Sequence, residues 1–426
     1  MSPQRAHPKI LNKIPTGLTY SEVIDGLSDD LNTLNQKIYT NPELGYEEFQ
    51  AHDNISDLLE TLGFNVTRHA YGLATSFEAV YGSGGRLVTF NAEYDALPGI
   101  GHACAHNLLA TCSIAAFLGA AYALREAPDG TQGRVRILGT PAEEGGGGKI
   151  KLIEAGAFKD TDACLLCHPG PTGRRGSNTA ASAALLLATG RLSVTFTGKA
   201  AHAAMSPWQG KNALDAAVLA YNALSMLRQQ LAPSEKLHSF ISNGGNKTNV
   251  IPNKTSIVVQ FRASTKAIVQ SLQTRVEDCV RGAAIATGCT ISIEPEVSYA
   301  DMRINGPICT EFSASMGKMG IRTFGTAEKP LPLQVSGDQG NVSYECPAFH
   351  GGFDIPSNGH FPHTPGFEKA AGTEAGFRAT LVAAKGMSSV GLRVLQDDEF
   401  AVSVKQDFER DCALRAEEEA ARRAQL

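Results

Sequence analysis

The chain has 426 residues, of which 42% are hydrophobic and 19% charged, and its formal net charge is −5. This length and composition predict a soluble enzyme of two domains, and the weakly acidic balance argues against a nucleic-acid partner. No apolar stretch reaches the roughly 18–20 residues that span a bilayer, and the N-terminus lacks the apolar segment of a signal peptide. We therefore expect no membrane partner, a cytoplasmic location and reduced cysteines.

The first 190 residues alternate between predicted helices and predicted strands. Apolar positions at helical spacing run from Ser21 to Leu62, with a break at Asn41-Pro42. An Ala-rich stretch, Leu108–Arg125, predicts a buried helix. Short apolar runs predict three strands, at Arg86–Asn91, Arg134–Gly139 and Ala163–Cys167. This alternation predicts an α/β domain with a mostly parallel sheet, whose ligands bind at the carboxyl ends of the strands.

From about Gly190 the order of elements changes to β-α-β-β-α-β, which is that of a ferredoxin-like unit. The predicted elements are Arg191–Thr197, Ala213–Leu231, His238–Ile241, Ser256–Ala263, Ile268–Thr287 and Thr290–Val297. We interpret residues 189–305 as a domain inserted between two parts of the α/β domain, 1–188 and 306–426. The charged, Ala-rich tail from Val402 predicts a solvated helix.

Residues that can bind metal follow the predicted strands. Asp95, Glu143-Glu144 and His168 come at strand ends, and Cys104 and His106 can converge on one centre if they lie in an extended turn. With His363 they provide a thiolate, three imidazoles and adjacent carboxylates. This set suits a borderline-soft divalent metal and leaves one carboxylate to activate water.

Each segment also has a structural interpretation when it is taken alone. Cys104 reads as a buried thiol, the Glu pair as a solvated turn, and His168 and His363 as structural histidines. His202 lies among small residues and either contacts substrate or sits in a surface turn. Asn249 and Arg262 are polar residues on or beside strands. Arg262 either grips a substrate carboxylate or forms an ordinary salt bridge. Their joint occurrence favours a functional site.

Ten segments of the chain resemble, in the same order, the aminoacylase/carboxypeptidase family of dinuclear zinc amidohydrolases. The resemblance is greatest to the branch with auxin-conjugate hydrolases, p-aminobenzoyl-glutamate hydrolase and a β-alanyl-lysine-type dipeptidase. The segments are Asn41–Glu48, Glu93–Pro98, Gly101–Cys104, His106-Asn107, Pro141–Gly148, His168-Pro169, Gly198–His202, Thr248–Pro252, Asp338–Ser343 and Pro362–Thr364.

The resemblance implies a role for each matching residue. Glu143 is expected to act as general base and then general acid, and Asp95 as a supporting carboxylate. His202 would stabilise the oxyanion, often in the site of a partner subunit, with Asn249 and Arg262 as substrate contacts. Two divalent ions, zinc or else manganese or cobalt, would be held with a bridging thiolate by Cys104, His106, Glu144, His168 and His363. The inserted domain would act as a lid and form a homodimer.

The implied reaction is hydrolysis of the amide bond of a dipeptide or N-acyl amino acid. The same site could serve amide condensation or another acyl transfer. A metal-binding dimer without catalysis would be expected to lack Glu143 or His202, and both are present. The chain departs from the family pattern at Ala105, where glycine is usual, and at Asn107 and Thr140. Ala105 leaves open an altered metal affinity.

Overall fold

The computed structural model describes residues 14–128, 131–171 and 179–423. The chain forms two compact units. The first consists of the residues up to Leu185 with Met302–Leu333 and Asp338–Ala416, and the second of Leu186–Asp301 with short added segments. The predicted inserted segment, 189–305, overlaps the second unit over 189–301. The N-terminus that was searched for a signal peptide, residues 1–8, lies outside the described residues.

The helices include every predicted one. In chain order the α-helices are α1 Tyr20–Gly26, α2 Ser28–Thr40, α3 Phe49–Thr61, α4 His106–Glu126, α5 Gly148–Glu154, α6 Ala213–Leu227, α7 Lys266–Thr287, α8 Gly306–Lys318, α9 Gln339–Val342, α10 Pro365–Ala371, α11 Glu374–Gln396 and α12 Asp398–Arg423. The break predicted at Asn41-Pro42 follows the end of α2. The predicted tail helix is α12; residues 424–426 lie outside the described part of the chain.

Within the described residues, the strands fall into three sheets. In chain order they are β1 Val66–Arg68, β2 Phe77–Ser83, β3 Leu87–Ala92, β4 Gly133–Gly139, β5 Ala163–Pro171, β6 Thr179–Ala181, β7 Ala184–Leu185, β8 Ala188–Thr197, β9 Lys236–Asn243, β10 Lys254–Ala263, β11 Thr290–Pro295, β12 Arg322–Phe324, β13 Leu331–Pro332 and β14 Ala348–Ile355.

The first unit is built on an eight-stranded mixed sheet with the order β1-β2-β4-β3-β5-β14-β6-β12. Its central pairs, β4–β3, β3–β5 and β5–β14, are parallel, whereas β1–β2, β2–β4 and β14–β6 are antiparallel. All six residues of β3 are buried, as expected for a strand covered on both faces. The predicted α/β class is confirmed: three parallel pairs lie at the centre of the sheet, and a further one, β6–β12, lies at its edge.

Helix α4 runs through the core of the first unit. Of its 21 residues, those from His106 to Tyr122 are all buried, and it packs against α11 and β3. By length and composition it could cross a membrane, so the prediction that no stretch is long enough is wrong. Because 94% of its apolar window is buried inside the protein, its hydrophobicity is explained by the core it fills.

One predicted strand end is misplaced. The sequence suggested that the third strand ends at His168, but β5 continues to Pro171, and His168 pairs with Gly352 of β14. His168 is therefore a strand residue rather than a residue of the following loop. The added pairing comes from β14, which lies far away in the chain and cannot be read from local periodicity.

The second unit has the predicted ferredoxin-like arrangement. Its order along the chain is β8-α6-β9-β10-α7-β11, and its sheet has the antiparallel order β11-β8-β10-β9. Alternate residues of β10 are buried, and α6 and α7 cover that face. Helix α7 begins after Thr265, whose side chain accepts from the Ile268 N–H, and ends before Gly288, where φ is +67°.

Candidate metal centre and active site

Cys104 and His106 are brought to one point by the turn that starts helix α4. Ala105 between them has φ 59° and ψ 32°, the left-handed conformation, and its carbonyl accepts from the N–H groups at the helix start. The chain thus reverses between the two residues, where the sequence suggested an extended turn. The donor atoms of Cys104, His106 and His168 all lie within 4.8 Å of one another.

A second group of donors comes from two other turns. Glu144 lies in the turn after β4, and His363 lies just before α10 with φ 65°. The His363 N–H donates to the Ala103 carbonyl at 2.8 Å, which ties this turn to the Cys104 turn. The Nε2 atom of His363 is 3.2 Å from Glu144 Oε1. The donor atoms of Cys104, Glu144 and His363 also lie within 4.8 Å of one another.

The two groups share Cys104 and together contain all five ligands that the sequence predicts. A third group, Glu93, His106 and Glu143, meets the same distance limit. Glu143 Oε2 lies 4.0 Å from His106 Nε2, so the predicted general base faces the same centre. The geometry has room for two cations with one shared thiolate, which is the arrangement that the resemblance implies.

Hydrogen bonds orient the imidazoles of His106, which is buried, and of His168, which is half-buried, with Nε2 toward the centre. The His106 Nδ1–H donates to the carbonyl oxygen of Asp95 at 2.9 Å, with the Asp95 carboxylate at 3.2 Å. The His168 Nδ1–H donates to the Pro169 carbonyl at 2.7 Å, and its Nε2 is 3.5 Å from Cys104 Sγ. Asp95 also accepts from the Glu144 N–H at 2.9 Å. Such outer hydrogen bonds fix which nitrogen can bind metal.

The donor set fits a divalent cation. The His106 Nε2 atom is buried and has no hydrogen-bond partner among the described residues, although burying such an atom unpaired is unfavourable. Burial raises the pKa of the Cys104 thiol well above its usual value, so the thiol is protonated until a cation takes its place. A thiolate, imidazoles and a carboxylate together are typical of zinc and related ions.

The environment of Glu143 suits a proton acceptor. Burial raises the pKa of its carboxyl well above the usual value, and the negative charges of Glu93 and Asp338 raise it further. Its side chain is 14% exposed, so it is enclosed but not sealed from the centre. A carboxylate whose proton affinity is raised in this way can take a proton from water near neutral pH.

A buried ion cluster that was not predicted from the sequence lies beside this centre. The ammonium group of Lys149 lies 2.6 Å from both Glu93 and Asp338, and all three side chains are at most 2% exposed. Glu93 Oε2 is in turn 3.5 Å from His106 Nε2. Glu93 and Asp338 stand in segments that carry the resemblance. The signal for Lys149 was a lysine directly after four glycines at the start of an apolar helix.

His350 was also missed. Its ring stacks on that of His168, with centroids 5.9 Å apart and planes inclined by 10°. Burial lowers the pKa of His350 to about 3, so the ring is neutral and supports His168 without adding charge. Only the pairing of β14 with β5 brings the two rings together, and no local pattern signals it.

In the second unit, His202 and Asn249 are neighbours. His202 forms a bridge with Val250, and the Ala203 N–H donates to the Asn249 carbonyl at 3.1 Å. The Nδ1 atom of His202 accepts from the N–H groups of Ala204 and Met205 at 3.2 and 3.1 Å. The neutral ring therefore carries its proton on Nε2, which is the tautomer that an oxyanion donor needs.

Arg262 lies at the opposite end of the same sheet. Strand β10 pairs with β8 from Lys254↔Thr197 to Ala263↔Ala188, so Asn249 and His202 lie near one end and Arg262 near the other. The separation is roughly 25 Å, at about 3.3 Å per residue. Arg262 donates to the Ser336 hydroxyl at 2.7 Å. In a single copy of the second unit, Arg262 therefore does not lie near His202 and Asn249, so the three predicted substrate contacts are not brought together.

Comparisons with known proteins agree with this geometry. Residues 186–287 match the model of a peptidase dimerisation domain, M20_dimer. The chain is 39% identical to a mouse Xaa-Arg dipeptidase over 412 residues, 93% of each protein. It is 34% identical to one of the subunits of the p-aminobenzoyl-glutamate hydrolase of Escherichia coli over 318 residues, 70% of this chain and 64% of that protein.

A solved structure shares the fold. A dinuclear metal binding peptidase of the M20 family from Bacillus subtilis superposes with a TM-score of 0.65 at 19% identity, covering 87% of this chain and 99% of that one. The protein is therefore a metal-dependent hydrolase of amide bonds. It belongs to the M20 family of peptidases, as the resemblance predicted.

Proposed function

We propose that this enzyme hydrolyses dipeptides whose C-terminal residue is basic and releases arginine or a similar amino acid. The observation that carries the reaction is the pair of donor groups sharing Cys104, with Glu143 beside them. The substrate class is supported by the Xaa-Arg dipeptidases, which match almost the whole chain at 39% and 38% identity.

Two ions, zinc in the cell, would be held by the two donor groups. Cys104, His106 and His168 would hold one, and Cys104, Glu144 and His363 would hold the other. When bound, such ions polarise the amide carbonyl and lower the pKa of water. The thiolate favours zinc over harder cations, and manganese and cobalt are the alternatives to test.

The residues of the chain carry the proton. Glu143 accepts it from the attacking water and then delivers it to the nitrogen of the leaving amino acid, which prevents loss of an unstable amide anion. The His202 Nε2–H donates to the oxygen that becomes negative in the tetrahedral stage. Asn249 orients the substrate beside it, and Arg262 binds its carboxylate with a planar pair of donors.

The active enzyme is a homodimer through the second unit. A dipeptide is too small to touch both His202 and Arg262 of one sheet, because they lie near opposite ends roughly 25 Å apart. Two copies of the chain solve this problem. Helix α6 exposes several apolar side chains, and β9 is an edge strand with Phe240 50% exposed, so this surface is suited to pairing. The exposed α6 side chains are Val218, Leu219, Tyr221 and Met226.

The enzyme acts in the cytoplasm. All nine cysteines are free thiols, and most are buried, which supports a reducing compartment. Fractionation of source cells with detection of the native protein tests this assignment. Recovery with membranes or secreted proteins would contradict it.

The test is to incubate metal-quantified protein with a library of dipeptides and N-acyl amino acids, with and without chelator. We expect chelator-sensitive release of arginine or lysine from the C-terminal position, faster than release of neutral residues. Preference for acidic or neutral residues would refute the substrate class. Amide formation from the free acid and amine, with no hydrolysis, would favour the condensing alternative.

Mixing two inactive variants tests the dimer. Glu143→Gln removes the base from its own site, and His202→Ala removes the donor. If each subunit gives His202 to the other, a mixed dimer has one complete site, and activity returns on mixing. No recovery, despite mixed dimers seen by native mass spectrometry, would contradict the exchange of His202.

A further inference from the structure

The segment Asn41–Glu48, which we name the clamp segment, has no role in the reaction described so far. It is one of the segments that carry the family resemblance. It lies against the turn Pro141–Gly148, which we name the base turn because it carries Glu143. The contacts between the two are made by buried or half-buried groups, which suggests that the clamp segment acts on the base turn.

The central contact is made by Glu48. Its Oε1 atom accepts from the Ala142 N–H at 2.8 Å, and its Oε2 atom accepts from the Thr75 hydroxyl at 2.8 Å. Glu48 is 0% exposed, so water does not compete for either oxygen. A buried acceptor bound on both sides fixes the Pro141–Ala142 peptide unit, which is the second peptide unit before the Glu143 side chain.

Ala142 needs such a restraint. Its φ is 58°, in the left-handed region, which is unfavourable for a residue with a side chain and persists only where neighbours enforce it. Its methyl group lies between two glycines. A methyl added at Gly45 would come within 2.9 Å of Ala142 Cβ, and one at Gly146 within 2.6 Å. The clamp segment therefore fixes both the N–H and the methyl group of Ala142.

Tyr46 adds a second contact on the other side of Glu143. Its hydroxyl donates to the Gly146 carbonyl at 2.6 Å, and the Lys151 ammonium lies 3.8 Å from its ring centroid. The base turn is thus held at Ala142 and at Gly146. Glu143 lies between these two points.

Glu144 is anchored by Asp95. Its N–H donates to Asp95 Oδ2 at 2.9 Å, so the next residue along the base turn is held from the side of the metal centre. The Asp95 carboxylate also accepts from the Glu143 backbone. The contact of Glu48 with Ala142, which directly precedes Glu143, is an added restraint, so losing it should disturb Glu143 more than Glu144.

We propose that Glu48 is the positioning residue for Glu143. By holding the Ala142 N–H, it keeps the Glu143 carboxylate aimed at the centre, where its Oε2 lies 4.0 Å from His106 Nε2. This inference rests on the proposed role of Glu143 as general base. Small displacements of a group that transfers a proton lower the rate strongly without weakening substrate binding.

The experiment compares Glu48→Ala with Glu48→Gln in the full-length, metal-loaded protein and uses a dipeptide ending in arginine. We expect Glu48→Ala to lower kcat by about 10-fold to 100-fold with little change in KM, in the range expected for misplacement of about 1 Å. Metal content should stay at the wild-type value because Asp95 still holds Glu144. Glu48→Gln should recover most of kcat, since its amide oxygen can accept from Ala142.

Two further variants control for folding. Glu43 lies in the same segment, but its carboxylate accepts from the Gln50 and Ala51 N–H groups at the start of α3, away from the base turn. Glu43→Ala should lower thermal stability and leave kcat unchanged. Ala142→Gly removes the methyl group at a φ that glycine tolerates, so it should fold and still lower kcat, even if Glu48→Ala does not fold.

Several outcomes would overturn the proposal. The first is a wild-type kcat in Glu48→Ala or, if that variant does not fold, in Ala142→Gly. The second is an equal loss of kcat in Glu48→Ala and Glu48→Gln. The third is loss of bound metal together with activity in Glu48→Ala. The variant Glu143→Gln separates the positioning role of Glu48 from the proposed role of Glu143 as general base. A large loss in Glu143→Gln with full kcat in Glu48→Ala refutes only the positioning role. Full kcat in Glu143→Gln refutes the base itself.

Discussion

The two units present their functional residues in opposite ways. In the first unit, His106 is buried and hydrogen-bonded to Asp95, and the Lys149 cluster beside them is buried and hydrogen-bonded within itself. In the second, His202 and Asn249 are exposed, near Met205 and Trp208, which are 74% and 77% exposed. In the first unit, the functional groups are held in place by contacts within the unit. In the second unit, they are exposed to solvent. Chemistry that needs fixed charges is built inside one unit, and contacts completed by another molecule stay at the surface.

The largest effect on activity is expected from Glu143→Gln in the first unit. The amide cannot take a proton, so we expect kcat to fall by about 10²-fold to 10⁴-fold, the usual contribution of a general base. Metal content should be unchanged, because Glu143 is not among the five proposed ligands. Inductively coupled plasma mass spectrometry on the same samples checks this. Loss of metal would reassign Glu143 as a ligand.

Breaking the buried ion cluster should affect stability most. Lys149→Met leaves Glu93 and Asp338 buried without their cation, and we expect a loss of about 3–5 kcal/mol in the free energy of unfolding. Lys385→Met is the matched control, because Lys385 pairs with a half-exposed Asp25. That pair should contribute at most about 1 kcal/mol. If urea titrations gave the same loss in the free energy of unfolding for both variants, burial of the cluster would not increase its contribution to stability.

The second unit should show the reverse behaviour. His202→Ala removes one donor to the oxyanion and should lower kcat by about 10²-fold to 10³-fold. Because His202 is exposed, water can replace its contacts, and the free energy of unfolding should change by less than about 1 kcal/mol. Calorimetry and kinetics on one preparation would test the pair of expectations. A large loss of stability would mean that the residue is structural.

Glu48 predicts a dependence of stability on pH. Burial is the main cause that raises its pKa from 4.5 to about 7. A carboxyl whose pKa is raised on folding stabilises the fold while it is protonated. This contribution is fully present below about pH 4.5 and is lost as the pH rises through about 7.

Relative to Glu48→Gln, the wild-type protein should therefore lose about 3 kcal/mol of stability between these pH values. Urea titrations of both proteins without metal give the difference directly. A constant difference across this pH range would show that the carboxyl does not change its proton affinity on folding.

The smallest effect is expected at Ala105. Glycine would relieve the left-handed strain but would lose a buried methyl group and gain freedom in the unfolded chain. These terms nearly cancel, so Ala105→Gly should change stability by less than about 1 kcal/mol. The added freedom between Cys104 and His106 should instead speed metal loss to a chelator. An unchanged rate of loss would show that the methyl group has no effect on the centre.

Periodicity and strand ends predicted most of the fold. Buried central strands such as β3 are continuous apolar runs, and the ferredoxin-like order is visible from alternation. Asp95, Glu143, Glu144 and His168 were singled out because ligands gather at strand ends. Even so, the end of β5 was misplaced, because its last residues are fixed by β14 rather than by local sequence.

What the sequence could not predict depends on distant partners or on backbone conformation. Lys149 and Asp338 are 189 residues apart, so their pairing leaves no local trace. The positive φ values of Ala105 and Ala142 cannot be predicted from the residue type, because alanine normally avoids them. The separation of Arg262 from His202 follows from strand register, which no single segment reveals.

Helix α4 has a consequence for amide hydrogen exchange. It begins at His106 and lies almost wholly inside the core, so its N–H groups can meet solvent only when the whole first unit opens. The turn that carries His363, whose side chain is 53% exposed, can open by itself. We therefore expect the two sides of the centre to exchange on different timescales, with the His363 turn labelled first and the α4 amides last.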